Sequence, residues 1–394
     1  MQAASPLRDV LDSLSAAAKY VVCAQQHATE CCHLMAGREG RVVEHIHYNP
    51  GPTTGLVHSG SSHLRASETT SRKTLSLAAV LFSAVFIAAA VAAQPASAPA
   101  WPRWLFPTDA APVKPVHDGS ALTVPGSDVT YTRTQIDNPF APPDWHPRDH
   151  STMPPIVASG RAPAVMACAF CHTPTGQGRP ENSALAGLSA DYIAEQLRDM
   201  RSGARRAAAP ADYAPVQAMH QLASELTDAE IEAAAQYFSQ QILGPRVEVI
   251  EGARIPEAKP AAWIYAREGT AEEDLGARII EMAADFALHE RRDDRMRYVA
   301  YVPAGSIDRG RLLATTGAGR TQACAGCHDV DLHGTALGPA IAGRSPSYLM
   351  RQLLAFQRKA RTSPRAQMMQ PVVERLTSDD MIALAAYVAS LPPQ

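Results

Sequence analysis

The chain has 394 residues, of which 46% are hydrophobic and 19% are charged, and its formal net charge is −3. This length predicts two or three domains, and the near-neutral charge lacks the strong basic excess typical of nucleic-acid-binding proteins, so we expect no nucleic-acid partner. Aromatic residues make up only 6% of the chain, so its cores are thin unless something other than side chains helps to fill them.

An export segment is predicted in the N-terminal part of the chain. Arg72 and Lys73 precede an apolar run from Leu75 to Ala93, and small residues follow it. This order is typical of a secretory signal peptide, so we interpret residues 75–98 as a signal peptide and expect a periplasmic protein. The run is also long enough to span a bilayer. If it is not cleaved, residues 75–93 anchor the protein to the inner membrane.

Residues 1–74 stand before this segment and have no sustained hydrophobic period. We interpret them as a disordered or misassigned upstream segment, because a signal peptide begins with its basic region. A cytosolic domain ahead of a membrane anchor is the alternative. Residues 99–159, which follow the export segment, form a Pro-rich arm for which we predict irregular structure with one strand at DVTYTRTQ.

The rest of the chain contains an internal repeat. ACAFCHTPTG in the first half corresponds to ACAGCHDVDL in the second, and LAGLSADYIAEQL corresponds to IAGRSPSYLMRQL. Further on, ASELTDAEIEAAAQYFSQ corresponds to VERLTSDDMIALAAYVAS. The repeat predicts two related domains, residues 160–244 and 305–394, with an insert at residues 245–304.

Both repeat units have the pattern of helices. In each, a Ser precedes apolar residues at helical spacing, and Leu-Thr followed by acidic residues begins the last helix. A helix is predicted at residues 305–317, before the second cysteine pair, whereas Pro154 and Pro155 interrupt its counterpart. The insert indicates short strands and loops, and we interpret His289 within it as a surface residue. The predicted fold is mainly α, with two helical domains, a small β/loop insert and an irregular arm.

Two cysteines three positions apart, followed at once by a histidine, are typical of covalent haem attachment. The thiols match the two vinyl groups of the porphyrin, and the imidazole becomes the proximal iron ligand. The alternatives are a Cys₄ zinc site, a thioredoxin-like redox pair and a structural disulfide. The histidine after each pair and the helical surroundings favour haem over all three. The residues concerned are Cys168, Cys171, His172, Cys324, Cys327 and His328.

The sixth iron ligand would come from farther along the chain, and a Met thioether there raises the reduction potential. Met219 and Met369 occupy matching positions in the repeat, and we expect each in a loop before the last helix. They are therefore the predicted distal ligands. The rivals are His220 in the first unit and Met368 or His333 in the second.

Three further features bear on the sites. In Gly338–Pro339 the Pro carbonyl is placed to accept the ring N–H of a histidine, whereas the first unit has Asn182–Ser183 there, which leaves that role open. Tyr237 and Tyr387 match in the last helices and are expected to pack against haem, with a propionate contact as the alternative. We interpret the arginines of RQLLAFQRKARTSPR as a solvated helix face, with a docking patch as the alternative; they are Arg351, Arg358, Arg361 and Arg365.

These motifs resemble those of class I cytochrome c domains, and their tandem arrangement is similar to the dihaem cytochromes of the c-four type. The resemblance covers about residues 160–242 and 305–393 and rests on CxxCH, Gly-Pro, Met and L[ST]-x-x-[DE]-[IM]-x-x-x-A-x-Y. It implies two covalent haem c groups with their iron. It also implies an exported electron carrier, not an enzyme, that passes single electrons between respiratory redox partners.

The insert, the arm and the missing Gly-Pro of the first unit depart from this family. They keep two alternatives open. A dihaem peroxidase-like enzyme needs one iron with a displaceable ligand, and two matching Met residues argue against it. A cytochrome subunit of a periplasmic dehydrogenase or oxidase complex would use the insert and the arm as docking surface. The first unit has the weaker setting, so we expect the two haems to be inequivalent.

Overall fold

The computed structural model describes residues 101–108, 116–206, 208–261 and 263–394. Residues Trp101–Gln394 pack as one unit. The predicted upstream segment, residues 1–74, and the predicted signal peptide or anchor, residues 75–98, lie outside the described residues. Within the described part of the chain, no helix combines the length and the apolar character needed to cross a membrane.

The arm has little regular structure in its described part. Strand β1, Ala121–Leu122, pairs antiparallel with β2, Tyr131–Thr132, and helix α1, Arg133–Ile136, follows. Thr132 and Gln135 form a capping box at the start of α1, so the strand predicted at DVTYTRTQ is only two residues long. The prolines before the first cysteine pair leave a single helical turn, α2, Pro155–Ala158.

The first repeat unit is helical, as predicted. Ser189 caps the second of its helices, and Thr227 forms a capping box with Glu230 at the start of the last. Their apolar faces meet in one core around Ile231 and Phe238, both fully buried. The helices are α3, Cys168–His172; α4, Ala190–Ser202; α5, Ala214–Glu225; and α6, Asp228–Ser239.

Glu230 gives the first unit a pH-dependent contribution to its stability. Arg161 Nε donates to its carboxylate at 2.9 Å and the Thr227 N–H donates at 2.8 Å, which lowers the pKa of Glu230 from 4.5 to about 2. A lowered pKa in the folded state means that the stabilisation is complete above the unfolded pKa and is lost as the pH falls towards about 2.

Glu230→Gln should therefore destabilise the protein at pH 7 by up to about 1 kcal/mol, because the ion pair is partly exposed to solvent. Near pH 2 the variant should be as stable as the wild type, since Gln still fits a capping box. Chemical denaturation at the two pH values measures the difference. An equal loss at both would show that the carboxylate charge is not the cause.

The insert folds as a five-stranded sheet. The strands lie in the order β3-β7-β6-β5-β4, with β3 parallel to β7 and the β4–β5 and β6–β7 pairs antiparallel. This sheet is larger than the short strands and loops that were predicted, so the description "mainly α" is only partly right. Its elements are β3, Val247–Glu251; β4, Arg254–Ala261; β5, Ile264–Asp274; β6, Ile280–Ala283; the helical turn α7, Phe286–Glu290; and β7, Tyr298–Val302.

The second repeat unit begins with the helix predicted before its cysteine pair. This helix crosses the last helix closely at Gly310, where an added Cβ would lie 2.0 Å from the carbonyl oxygen of Ala383. The core of this unit also takes in Leu105 and Phe106 of the arm. The helices are α8, Ser306–Thr316; α9, Ala325–His328; α10, Pro346–Gln357; α11, Pro364–Gln367; α12, Gln370–Val373; and α13, Ser378–Ser390.

One prediction about the surface was wrong, and another was wrong for two of its four arginines. His289 is fully buried, with its ring stacked on Phe286 and Nδ1 3.3 Å from the hydroxyl of Tyr298. Arg351 and Arg361 are also buried, at 5% and 4% exposure. A charged stretch predicts a solvated face only where no other element covers it. Here the arm, the insert and the first unit cover these residues.

Candidate haem sites

The first candidate site is built on α3. Cys168 and Cys171 lie one turn apart, and the helix ends at His172 because Thr173 takes a left-handed backbone conformation with φ 64°. The four cysteines of the two units form no disulfide. Nor do they converge on one metal-binding group among the described residues, as a Cys₄ zinc site would require. Burial raises the pKa of the free Cys168 thiol to about 12.

Both motif histidines are held in the same tautomer. Nδ1 of His328 donates to the carbonyl of Pro339 at 2.7 Å, as Gly338–Pro339 predicted. In the first unit, Nδ1 of His172 donates to the carbonyl of Ser183 at 2.8 Å. In the first unit, the backbone carbonyl of a residue other than proline therefore fixes the histidine tautomer in the same way. With the proton on Nδ1, each Nε2 keeps a lone pair for a metal ion, and burial lowers the pKa of both rings.

Gly338 leaves room for the second histidine ring. A Cβ at this position would lie 2.8 Å from Cε1 and Nδ1 of His328. Gly338→Ala should therefore displace the imidazole or the Pro339 carbonyl and lower the stability of the second unit by about 1–3 kcal/mol. Thermal unfolding measures the loss. Gly326→Ala is the matched control, since a Cβ there meets no atom within 4 Å; equal destabilisation by both would contradict the steric account.

The second candidate site is a cleft beside α9. Its side chains surround about 1370 Å³ of empty space, including solvent at the mouth, and the lining is mostly apolar. Cys324, Cys327 and His328 line it together with Met368 and Met369. The cleft thus gathers two thiols, an imidazole and two thioethers around an apolar space that suits a flat hydrophobic group.

The predicted distal ligands and their rivals differ in burial and in the element on which they lie. Met369 lies between α11 and α12, half-buried against the second core, whereas Met368 is 45% exposed. Met219 packs on the core that contains Cys168, but it lies within α5 rather than in a loop. Of the rivals, His333 bonds to the carbonyl of Pro392 at 3.2 Å, on the exposed surface.

Three arginines meet where the two units face each other. Arg205 donates to Gln352 and Arg361 donates to Tyr192, both across the boundary. Arg344 donates to three backbone carbonyls, two of them in the first unit. The hydrogen-bond acceptors of these guanidinium groups among the described residues are neutral amide, phenol and carbonyl oxygens.

This arginine cluster carries an excess of positive charge beside the second cleft. Arg344 and Arg361 line the cleft, together with Tyr348. The pKa of Tyr348 is lowered by the charges of Arg205 and Arg361, which overcome its burial. Buried cations with neutral partners favour an anionic ligand. The propionate carboxylates of a bound haem would be such an anionic ligand. The residues that line the cleft therefore fit both the iron and the propionates of a haem.

Arg292 of the insert covers the first motif. Its guanidinium carbon lies 3.7 Å from the ring centroid of Phe170, and Nη1 donates to the carbonyl of that residue at 2.8 Å. Burial lowers the pKa of Arg292 to about 9. Sequence reasoning missed Arg292, Arg205 and Arg344 and assigned Arg361 to a solvated face, because no local pattern indicates which distant arginine reaches a site.

Comparison with known proteins agrees with this geometry. Residues 157–241 and 308–392 each match the family described as cytochrome c. Cytochrome c-554(548) of Halomonas halodenitrificans is 31% identical over 78 residues, which are 20% of this chain and 94% of that protein. The chain belongs to the cytochrome c family. As a member with two matched stretches it carries two covalent haem c groups, which confirms the cofactor prediction.

Two longer relatives span both units of this cytochrome. Cytochrome c4 of Azotobacter vinelandii is 25% identical over 239 residues, covering 60% of this chain and 89% of that protein. A protein named thiosulfate dehydrogenase electron acceptor, from Stutzerimonas stutzeri (strain A1501), is 28% identical over 236 residues, covering 59% and 82%. The predicted tandem dihaem arrangement of the c-four type is therefore confirmed, and the protein is a dihaem cytochrome of electron transfer.

Proposed function

We propose that this cytochrome is an exported electron carrier that passes single electrons between respiratory partners through two His/Met-ligated haems. The observation that carries the proposal is the second cleft, where Cys324, Cys327, His328 and Met369 line one apolar space. In each unit the haem supplies one-electron exchange at its iron. The proposed residues are Cys168 and Cys171 for attachment with His172 and Met219 as axial ligands, and Cys324 and Cys327 with His328 and Met369.

The protein's own contribution is to orient and shield these groups. The carbonyls of Ser183 and Pro339 hold the imidazoles in the tautomer that leaves Nε2 free. Met219 and Met369 would each offer a thioether to the iron of a bound haem, and an iron held by both residues of its unit would have no open position for a substrate. The peroxidase-like alternative needs such a position, and the half-buried Met219 and Met369 make it the weaker proposal.

The arginine cluster supports transfer within the molecule. Arg205, Arg344 and Arg361 lie at the boundary of the two units, where carboxylates of a haem would neutralise them. A bound anion would stabilise the packing of one unit on the other and keep water out of the region between the cofactors. We infer that this boundary is the internal path of the electron.

A cytochrome subunit of a periplasmic oxidoreductase complex is the second candidate. It is favoured by the relative named as an electron acceptor of thiosulfate dehydrogenase. It is also favoured by the sheet and by residues 99–156 of the arm, which lie outside the two matched stretches. In this case the redox partner is a dehydrogenase or oxidase that binds the sheet or the arm. Co-purification of a larger complex from native membranes would favour this candidate over a free carrier.

The proposed division of the chain follows from this function. Residues 1–74 precede the mature protein, residues 75–98 direct export to the periplasm or anchor the chain, and residues 99–159 form the arm. Residues 160–244 and 305–394 are the haem domains, and residues 245–304 are the insert. Haem staining after denaturing electrophoresis of the exported protein tests the proposal. A coloured band is expected, and a colourless band would contradict it.

A further inference from the structure

Outside the two proposed haem sites, the described residues contain a group of side chains suited to a metal ion: His146, Asp293 and Asp294. His146 comes from the arm, and the two aspartates come from the insert, between α7 and β7. They are buried, at 4%, 3% and 4% exposure. None of them lies in the stretches that match the cytochrome c family, so the group belongs to the parts that this chain adds to the family's domains.

The spacing of the ligand atoms fits a single ion. Nε2 of His146 lies 3.1 Å from Oδ1 of Asp293 and 3.9 Å from Oδ1 of Asp294. The three ligand atoms lie within 4.8 Å of one another. Two atoms bound to the same Zn²⁺ at about 2.0–2.2 Å are separated by about 3–4 Å. Binding of an ion between them therefore requires small movements and the release to solvent of the Nε2 proton that His146 donates to Asp293.

Asp294 gives an independent indication of a ligand. Its Oδ1 is buried and has no hydrogen-bond partner among the described residues, while its Oδ2 accepts from the hydroxyl of Thr175 at 2.8 Å. The charge of Arg246 acts on both aspartates, but its Nε and Nη1 donate to the carbonyls of Met296 and Gly178. A buried carboxylate oxygen without a donor is costly, and a bound cation removes that cost.

One imidazole and two carboxylates select the class of ion. Ca²⁺ and Mg²⁺ take oxygen ligands almost exclusively, whereas Zn²⁺ accepts imidazole nitrogen and carboxylate oxygen in one tetrahedral site. We propose that His146, Asp293 and Asp294 bind a Zn²⁺ ion that fastens the arm to the insert beside the first haem domain. Thr175, which follows α3, positions the Asp294 carboxylate by its hydrogen bond.

Existing contacts show that the arm and the insert already meet at this place. Nε1 of Trp145 donates to the carbonyl of Arg291 at 2.7 Å. Arg295 donates to both carboxylate oxygens of Asp149, each at 2.8 Å. These contacts already hold the arm against the insert. An ion bound here would add a further link between them, and it should raise the stability of the arm.

The test uses the whole haem-loaded protein, treated with a chelator and then titrated with Zn²⁺ alone by calorimetry. We expect about one tightly bound zinc per chain and a higher melting temperature when zinc is present. Asp294→Asn, which keeps the side-chain shape, should weaken zinc binding by more than about 100-fold. Thr175→Val should weaken it by about 10–100-fold, as expected for a group that orients a ligand.

His150→Ala is the matched control, because His150 pairs with Asp144 on the same arm at 3.1 Å and is not part of the group. It should bind zinc as the wild type does. Haem content is measured separately, by absorbance. A loss of zinc binding in a variant that retains its haem is therefore specific to this site. Equal zinc affinity in the wild type and Asp294→Asn, or no binding to the wild type, overturns the proposal and leaves a metal-free His–Asp network.

Discussion

Replacing both Cys324 and Cys327 with alanine is expected to reduce the covalent haem content from two groups per chain to one. The two residues are the only cysteines among those that line the second cleft, so no other thiol of the lining replaces them. The cleft is mostly apolar and without its cofactor would be lined by exposed hydrophobic surface. The second domain should therefore also lose stability, by several kcal/mol on the scale of large core deletions.

The paired experiment replaces Cys168 and Cys171. It should also leave one haem per chain, and this haem should have the spectrum and the reduction potential of the haem of the second domain. Haem per chain is measured by absorbance of the denatured protein against total protein. Retention of two haems after either double replacement would show that attachment uses other residues. A common loss of both haems would show that the two domains do not mature independently.

Met369→Ala is expected to lower the reduction potential of the second haem by on the order of 100 mV or more, because a thioether ligand favours the ferrous state. The same replacement should open that iron to small external ligands such as cyanide or carbon monoxide. Met368→Ala is the matched control, since Met368 lines the same cleft but is 45% exposed, and it should leave the potential and the spectrum unchanged.

The two variants decide between neighbouring residues that differ in burial and in their match to the repeat. A potential that falls in Met368→Ala and not in Met369→Ala would assign the distal ligand to Met368. If neither variant changes the potential, the sixth ligand comes from elsewhere in the second domain. Potentiometric titration with optical spectra measures both quantities in one experiment.

Local chemistry explains which features were predictable from the sequence. Capping residues and apolar spacing predict α4, α6, α10 and α13, because these signals act within one or two turns. The cysteine and histidine positions are likewise local. The sheet was underestimated because β3 pairs with β7 across the whole insert, and alternation within a strand does not indicate its partner.

Burial of polar residues could not be predicted in the same way. Arg361 and His289 lie in charged stretches that are typical of a solvated face, yet each is covered by elements distant in the chain. The Ser183 carbonyl takes the role that the sequence left open in the first unit, since any backbone carbonyl at that place accepts the same hydrogen bond. The local motifs therefore indicate the function, whereas the burial and hydrogen bonding of the site residues depend on tertiary contacts.

In the proposed function, two His/Met-ligated haems exchange electrons one at a time without a substrate on the iron. Spectroelectrochemical titration of the exported protein tests this mechanism. We expect two one-electron steps with different midpoint potentials, and low-spin spectra with thioether ligation in both haems. A high-spin ferric haem that binds peroxide or another small ligand in the wild-type protein would contradict the claim and favour an enzyme.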